Sequence, residues 1–358
     1  MTATPEQQVA ALQARYLPDV QAWLREALAD PAPGSAWDSA WGPAPGINHL
    51  LRYHMGWEDA GGAPTPSEGG KALRPVLCLT ACELAGGDWR RALPAAAALE
   101  LVHNFSLVHD DIQDGDVLRR GRETLWSVWG IPAALSGGNA MRVTADRTLA
   151  KLEGSGVGAA AVMWASAELN QRYLEMIEGQ YLDMAFEQRP QVTVADYLDM
   201  IGRKTGALFE SAMFLGALVA NADPDQARAF GACGRRMGIA FQVRDDYLGV
   251  WGDTAETLKP LTDIQRKKKS LPLVYLLEAA ADEDRAWLAR AYADDEVSGP
   301  NVRRILRLLD RLDARRYVTQ TAEACASEAR ALAEALGLGE SRARSLEAIA
   351  AYCVSRDR

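Results

Sequence analysis

Apolar residues recur every three to four positions over residues 5 to 29, where Val9, Leu12, Tyr16, Val20 and Leu24 share one face of a predicted amphipathic helix ending at "ADPAPG". From Asp30 to Gly69 that pattern breaks. Pro, Gly and Trp crowd "DPAPGSAWDSAWGPAPG" and "EDAGGAPTPSEGG", on either side of a short helical piece around "INHLLRYHMGW". Residues 1–69 therefore read as a helix and an irregular arm packed on a main domain spanning 70–358. Past Pro75 nearly every segment carries Ala, Leu, Glu, Arg and Met at helical spacing, without runs of alternating β-branched residues. The fold class is all-α. Four segments, "ALPAAAALELVHNFSLVHDDIQ", "AAVMWASAELNQRYLEMIEGQYLDMAF", "TVADYLDMIGRKTGALFESAMFLGALVA" and "ARAFGACGRRMGIAFQVRDDYLG", are so apolar that their helices should be buried over most of their circumference, inside a large bundle.

Composition narrows the partners. At 358 residues and 48% hydrophobic the chain can bury a large core. A net charge of -9 argues against nucleic acid, so any phosphate recognition should be local. Five cysteines (Cys78, Cys82, Cys233, Cys325, Cys353) show no paired metal spacing and read as reduced thiols of a cytoplasmic protein. The N-terminus lacks the uninterrupted apolar core of a signal peptide, and the run from Ala212 to Ala220 is too short to span a bilayer.

Chemistry concentrates in "HDDIQDGDVLRRGR". On a helix Asp110, Asp111 and Asp114 fall within an arc of roughly 100°, with Asp110 and Asp114 one turn apart. Three anions on one face call for a cation, and Mg²⁺ suits a few carboxylates completed by waters and phosphates. A second acidic pair, Asp245-Asp246, ends another apolar helical stretch. If the two helices packed side by side, the carboxylates would face each other across a cavity mouth. Arg119 and Arg120 would repel bare Mg²⁺ but attract a polyphosphate bridging metal and guanidinium, which gives the acids and bases separate tasks instead of mutual salt bridges. Lys71, Arg74, Lys204, Lys259, Lys267, Lys268 and Lys269 fit the same demand, and "RKKK" reads as a basic loop able to close over phosphate. Asp116 falls outside the helical triad and reads as loop chemistry.

These motifs, in the order "GKALRP", "HNFSLVHDDIQDGDVLRRGRET", "GQYLD", "KTGALFE", "FQVRDDYLGVWGD" and "KPLTDIQRKKKSLP", resemble those of the trans-isoprenyl diphosphate synthases, or polyprenyl synthetases. The resemblance implies a helical bundle with a central cavity, a homodimer, and Mg²⁺-dependent head-to-tail condensation of isopentenyl diphosphate with an allylic diphosphate. It implies metal ligation by Asp110, Asp111, Asp114 and Asp245, with three ions when substrate is bound, and a catalytic place for Asp246. Lys71, Arg74, His103 and Arg120 look like the isopentenyl diphosphate site. Arg119, Lys204, Lys259 and Lys268 look like allylic diphosphate ligands, with Thr205 and Gln242 near the cationic carbon. Phe105 five positions before the first motif, beside the small Ser106, looks like the pattern of C20 producers, so geranylgeranyl diphosphate is the expected product.

The match departs in three places. Gly249 stands where the family often has a third aspartate, Ala72 where it often has arginine, and "SGGNAMRVTADRTL" is unusually polar, suggesting an exposed helix or a wet subunit contact. A class I terpene cyclase would keep the aspartates but needs no second diphosphate site. A non-catalytic subunit would tolerate loss of metal ligands, and here the first motif is complete.

Overall fold

The computed structural model describes residues 3–29, 46–66, 70, 72–187, 189, 191–221, 223–252, 262–265, 268–292 and 297–356. Lys71, Lys259, Lys267 and most of the Pro/Gly-rich arm lie outside the described residues. In chain order the helices are α1 (Pro5–Ala27), α2 (Ile47–His54), α3 (Leu73–Leu84), α4 (Leu93–Gln113), α5 (Leu125–Trp129), α6 (Ile131–Ala150), α7 (Ala159–Glu187) and α8 (Val194–Ile201). There follow α9 (Ala207–Val219), α10 (Pro224–Trp251), α11 (Thr262–Gln265), α12 (Leu271–Ala279), α13 (Asp282–Ala291), α14 (Gly299–Arg311), α15 (Ala314–Ala335) and α16 (Glu340–Ser355). The all-α expectation holds, with one small addition: β1 (Leu118–Arg119) pairs antiparallel with β2 (Arg122–Glu123).

The chain forms two compact units, one of Met1–Ala11, Asn170–Phe214 and Pro224–Arg358, the other of Leu12–Leu169 and Leu215–Asp223. In the second unit α4 is the central element, packed between α3 and α6. Its Leu93–Val102 stretch is buried without interruption, as its all-round apolar sequence requires. Against it, α6 is amphipathic: Ala134, Gly137, Gly138, Met141, Ala145, Thr148 and Leu149 turn inward, while Asn139, Asp146 and Arg147 are exposed. That accounts for the polar segment. Arg142, at 11% side-chain exposure, is tied to Asp146 one turn on.

In the first unit α10 packs along α15, with α12 and α16 beside it. A local core of Leu273, Leu276, Leu288, Ile305 and Leu309 joins α12, α13 and α14. Residues 207–209 and 211–219 of α9 are buried, as expected. The expectation fails for α7. Ala165, Leu169 and Met176 are buried, but Met163, Trp164, Leu174, Ile177 and Tyr181 stand in solvent because its apolar residues encircle the helix and only one side is covered. All five cysteines are buried, unpaired thiols. Among the described residues no helix is long and apolar enough to cross a membrane.

Candidate active site

The first acidic motif grows out of the deeply buried helix α4. Asp114 caps α4 with helical dihedrals (φ -84, ψ -9), and its amide donates to the Asp110 carbonyl at 2.8 Å. Asp110 and Asp114 thus stand one turn apart, as the spacing predicts. Asp111 is 1% exposed, and removal from water raises its carboxyl to about 6 although Arg119 opposes the rise. Its Oδ1 accepts from Arg119 Nε at 2.6 Å, while Oδ2 is buried with no hydrogen-bond partner. Arg119 and Asp111 form an ion pair, because a buried carboxylate is costly without a cation. Asp116 anchors the following loop, its carbonyl accepting from Thr124 Oγ1 and Trp126 Nε1, both at 2.9 Å.

The hairpin after that loop aims the arginines. Its two-residue turn, Arg120-Gly121, has φ of 53° and 76°, the left-handed pair that a type I′ turn requires. Glycine adopts this freely and arginine at a cost, a strain typical of functional positions. The Arg120 guanidinium lies over Gly70, where a Cβ would come within 2.6 Å of Nη2. Arg74 and Arg120 both act on His103, which loss of water and these cations hold well below its usual range. They also act on Glu100, which burial pushes up and Arg74 pulls back. Asn104 Nδ2 donates to the Glu100 carbonyl at 2.8 Å and to Oε1 at 3.1 Å, leaving Oε2 buried without a partner.

His54, from α2, joins this cluster and was missed in the sequence. Burial first, then Arg119 and Arg120, lower it to about 3, against a hydrogen bond with Asn104. It helps line a cavity of about 70 Å³ with Asp111, Arg119, Arg120 and Arg122. The only sequence signal was a histidine ending the short helical piece before "GKALRP". Phe105 is 5% exposed, its ring 4.6 Å from that of His109 in an edge-to-face pair. Ser106, partly buried, bonds back to the His103 carbonyl at 2.7 Å.

The second motif is built in the other unit. Asp246 is 8% exposed and raised to about 7 by burial. Its oxygens are taken by Tyr197 Oη at 2.5 Å, the Leu271 amide at 3.0 Å and Gln242 Nε2 at 3.1 Å. Gln242 Oε1 accepts in turn from Thr205 Oγ1 at 2.9 Å. Asp246 thus ties α8, α10 and α12 together. Asp245 points elsewhere and meets Arg356 Nη2 at 2.5 Å. That arginine, also missed, is 3% exposed, lies 3.7 Å from the Phe241 ring centroid and donates to the Phe241 carbonyl at 3.0 Å. Lys204 Nζ sits 2.5 Å from Asp183 Oδ2. Lys268 is partly buried just before α12.

Among the described residues no three His, Cys, Asp or Glu side chains converge into a ready-made metal cage. Mg²⁺ keeps waters and takes one or two carboxylates plus substrate phosphate. The orphaned Asp111 Oδ2 and the stacked Asp110 and Asp114 fit such an ion, and Asp245 offers a carboxylate that now holds a guanidinium.

The family model "Polyprenyl synthetase" matches residues 64–309. The chain belongs to the polyprenyl synthetase family. A (2E,6E)-farnesyl diphosphate synthase of Mycobacterium tuberculosis is 36% identical to this synthetase over 316 residues, 87% of each chain. A geranylgeranyl diphosphate synthase of the same organism is 40% identical over 261 residues, 73% of each. Among solved structures, a polyprenyl synthetase from Streptomyces coelicolor A3(2) superposes with a TM-score of 0.86 at 32% identity, covering 97% of this chain and 99% of that one. The synthetase is accordingly a prenyltransferase of the isoprenyl diphosphate synthase kind.

Proposed function

We propose that this synthetase joins isopentenyl diphosphate head-to-tail to an allylic diphosphate, releasing pyrophosphate, and that its main product is geranylgeranyl diphosphate (C20). The observation that carries the reading is the convergence of Arg74 and Arg120 on both buried Glu100 and His103, beside the first acidic motif. A diphosphate site separate from the metal ligands is needed for elongation and not for cyclisation. Arg74, His103 and Arg120, with Lys71, hold isopentenyl diphosphate. His103, kept neutral, offers a hydrogen bond without adding charge. Arg119, Lys204 and Lys268, with Lys259, bind the allylic diphosphate, and the Thr205 and Gln242 dipoles lie near the carbon that becomes cationic.

Asp110, Asp111, Asp114 and Asp245 would hold Mg²⁺, three ions with substrate bound. The metal supplies positive charge to a leaving group whose own charge grows as the C–O bond breaks. The isopentenyl double bond attacks the allylic cation, and loss of a proton to the departed pyrophosphate ends the step. The small Ser106 below Asp110 supports room for a C20 chain.

A homodimer belongs to the same proposal. Exposed Ile131, Leu135, Val143, Met163 and Trp164 leave apolar surface that a second copy would cover. A cytoplasmic location is supported by the five unpaired thiols. The roles are tested by two-substrate kinetics. Arg120→Ala raises KM for isopentenyl diphosphate about tenfold and spares that of the allylic substrate, while Lys204→Ala does the reverse. Loss of both affinities together in each variant would contradict the division.

A further inference from the structure

The motif "GQYLD" has no task in the reaction outlined above, yet α7 presents it to an irregular stretch of backbone in the same unit. Between α8 and α9 the helix widens at Gly202–Gly206 into a π-turn, in which each amide reaches one residue further back than in an α-helix. Such a turn displaces carbonyls from their usual partners, so it persists only where the surroundings satisfy them.

Here they do. The Gly202 carbonyl accepts from Arg235 Nη1 at 3.1 Å. Arg235 is itself fixed, its Nη2 forking onto Glu175 at 2.7 and 2.8 Å and its Nε bonded to Glu210. Burial pushes Glu175 up, but hydrogen bonds from Arg235 and Arg172 hold it below its usual value, so the clamp is ionised near neutrality.

On the opposite side the turn rests on Gly179. A Cβ there would lie 2.3 Å from the Lys204 amide nitrogen, 2.7 Å from its Cα and 2.9 Å from the Arg203 carbonyl carbon. No side chain fits. One helical turn along the same face of α7, Asp183 takes the Lys204 ammonium at 2.5 Å. Gly179 thus seats the backbone of Lys204 and Asp183 its side chain, while the next residue, Thr205, reaches Gln242 on α10 at 2.9 Å.

We infer that Gly179, Asp183 and Arg235 are positioning residues that hold the π-turn in the register delivering Lys204 and Thr205 to the allylic diphosphate. None of the three touches substrate. The inference rests on the proposed role of Lys204.

Steady-state kinetics on the full-length protein with Mg²⁺, varying each diphosphate in turn, test it alongside thermal midpoints. Gly179→Ala and Arg235→Gln are expected to raise KM for the allylic diphosphate about tenfold and lower kcat, with KM for isopentenyl diphosphate unchanged, and Arg235→Lys to recover part of the loss. The packing control, wholly within the unit that lacks the π-turn, is Gly87→Ala, whose methyl would press on Ala220 at 2.7 Å. It should lower the thermal midpoint without selective loss of the allylic substrate. If Gly179→Ala and Arg235→Gln are destabilised but keep the wild-type allylic KM, the positioning role is wrong while the Lys204 assignment stands. Should Lys204→Ala also leave the allylic KM unchanged, both fail. Where Gly179→Ala does not fold, Arg235→Gln and Asp183→Asn carry the same comparison.

Discussion

Phe105 and His54 show how burial turns a residue's chemistry toward function. Phe105 is packed edge-to-face on His109 and almost wholly shielded, so its removal has two separable effects. Phe105→Ala is expected to cost about 3–5 kcal/mol of stability by denaturant titration and, by opening space below the acidic motif, to lengthen the prenyl products. An unchanged product distribution would remove Phe105 from the pocket wall. His54 titrates at about 3 in the fold against about 6.5 when unfolded. Between these values the unfolded chain binds a proton that the folded one refuses, so the stability this neutral histidine contributes is intact above pH 6.5 and is lost as pH falls toward 3. The stability advantage of the wild type over His54→Asn should therefore shrink between pH 7.5 and pH 5, as read by denaturant midpoints. The place of Phe105 was legible from its spacing to the first motif, but the effect at His54 was not, since a lone histidine on a short helix says nothing about the arginines that fold against it.

At the level of elements, legibility followed local regularity. The helical arc of Asp110, Asp111 and Asp114 depends only on spacing within α4, and the structure has it as predicted. The type I′ turn that strains Arg120, and the π-turn carrying Lys204, depend on partners distant in sequence: Gly70 for the first, Gly179 and Arg235 for the second. Arg356 illustrates the same limit. It reaches Asp245 from more than a hundred residues away and sets a guanidinium on a carboxylate proposed to hold metal, in a motif already short of one acid at Gly249. A buried cation competes with Mg²⁺ for that oxygen, so Arg356→Ala should tighten Mn²⁺ binding measured by electron paramagnetic resonance, and lower the Mg²⁺ concentration for half-maximal activity. Weaker Mn²⁺ binding would mean that Arg356 supports Asp245 and does not compete for it.

For the whole molecule, composition and periodicity sufficed for an all-α chain with deeply buried α4 and α9, because continuous apolar sequence leaves a helix nowhere else to go. The same argument misjudged α7, whose apolar residues ring the helix while one side stays open. If a second copy closes that side, Trp164→Asp should shift the protein from dimer to monomer in sedimentation velocity, and an unchanged dimer would place the interface elsewhere. The central claim is elongation at two diphosphate sites. It is tested most directly by incubating the purified protein with Mg²⁺, labelled isopentenyl diphosphate and allylic primers of C5, C10 or C15, then sizing the products. The account predicts labelled prenyl diphosphates ending chiefly at C20 from every primer; a hydrocarbon with no added isoprene unit, or no incorporation from any primer, would contradict it.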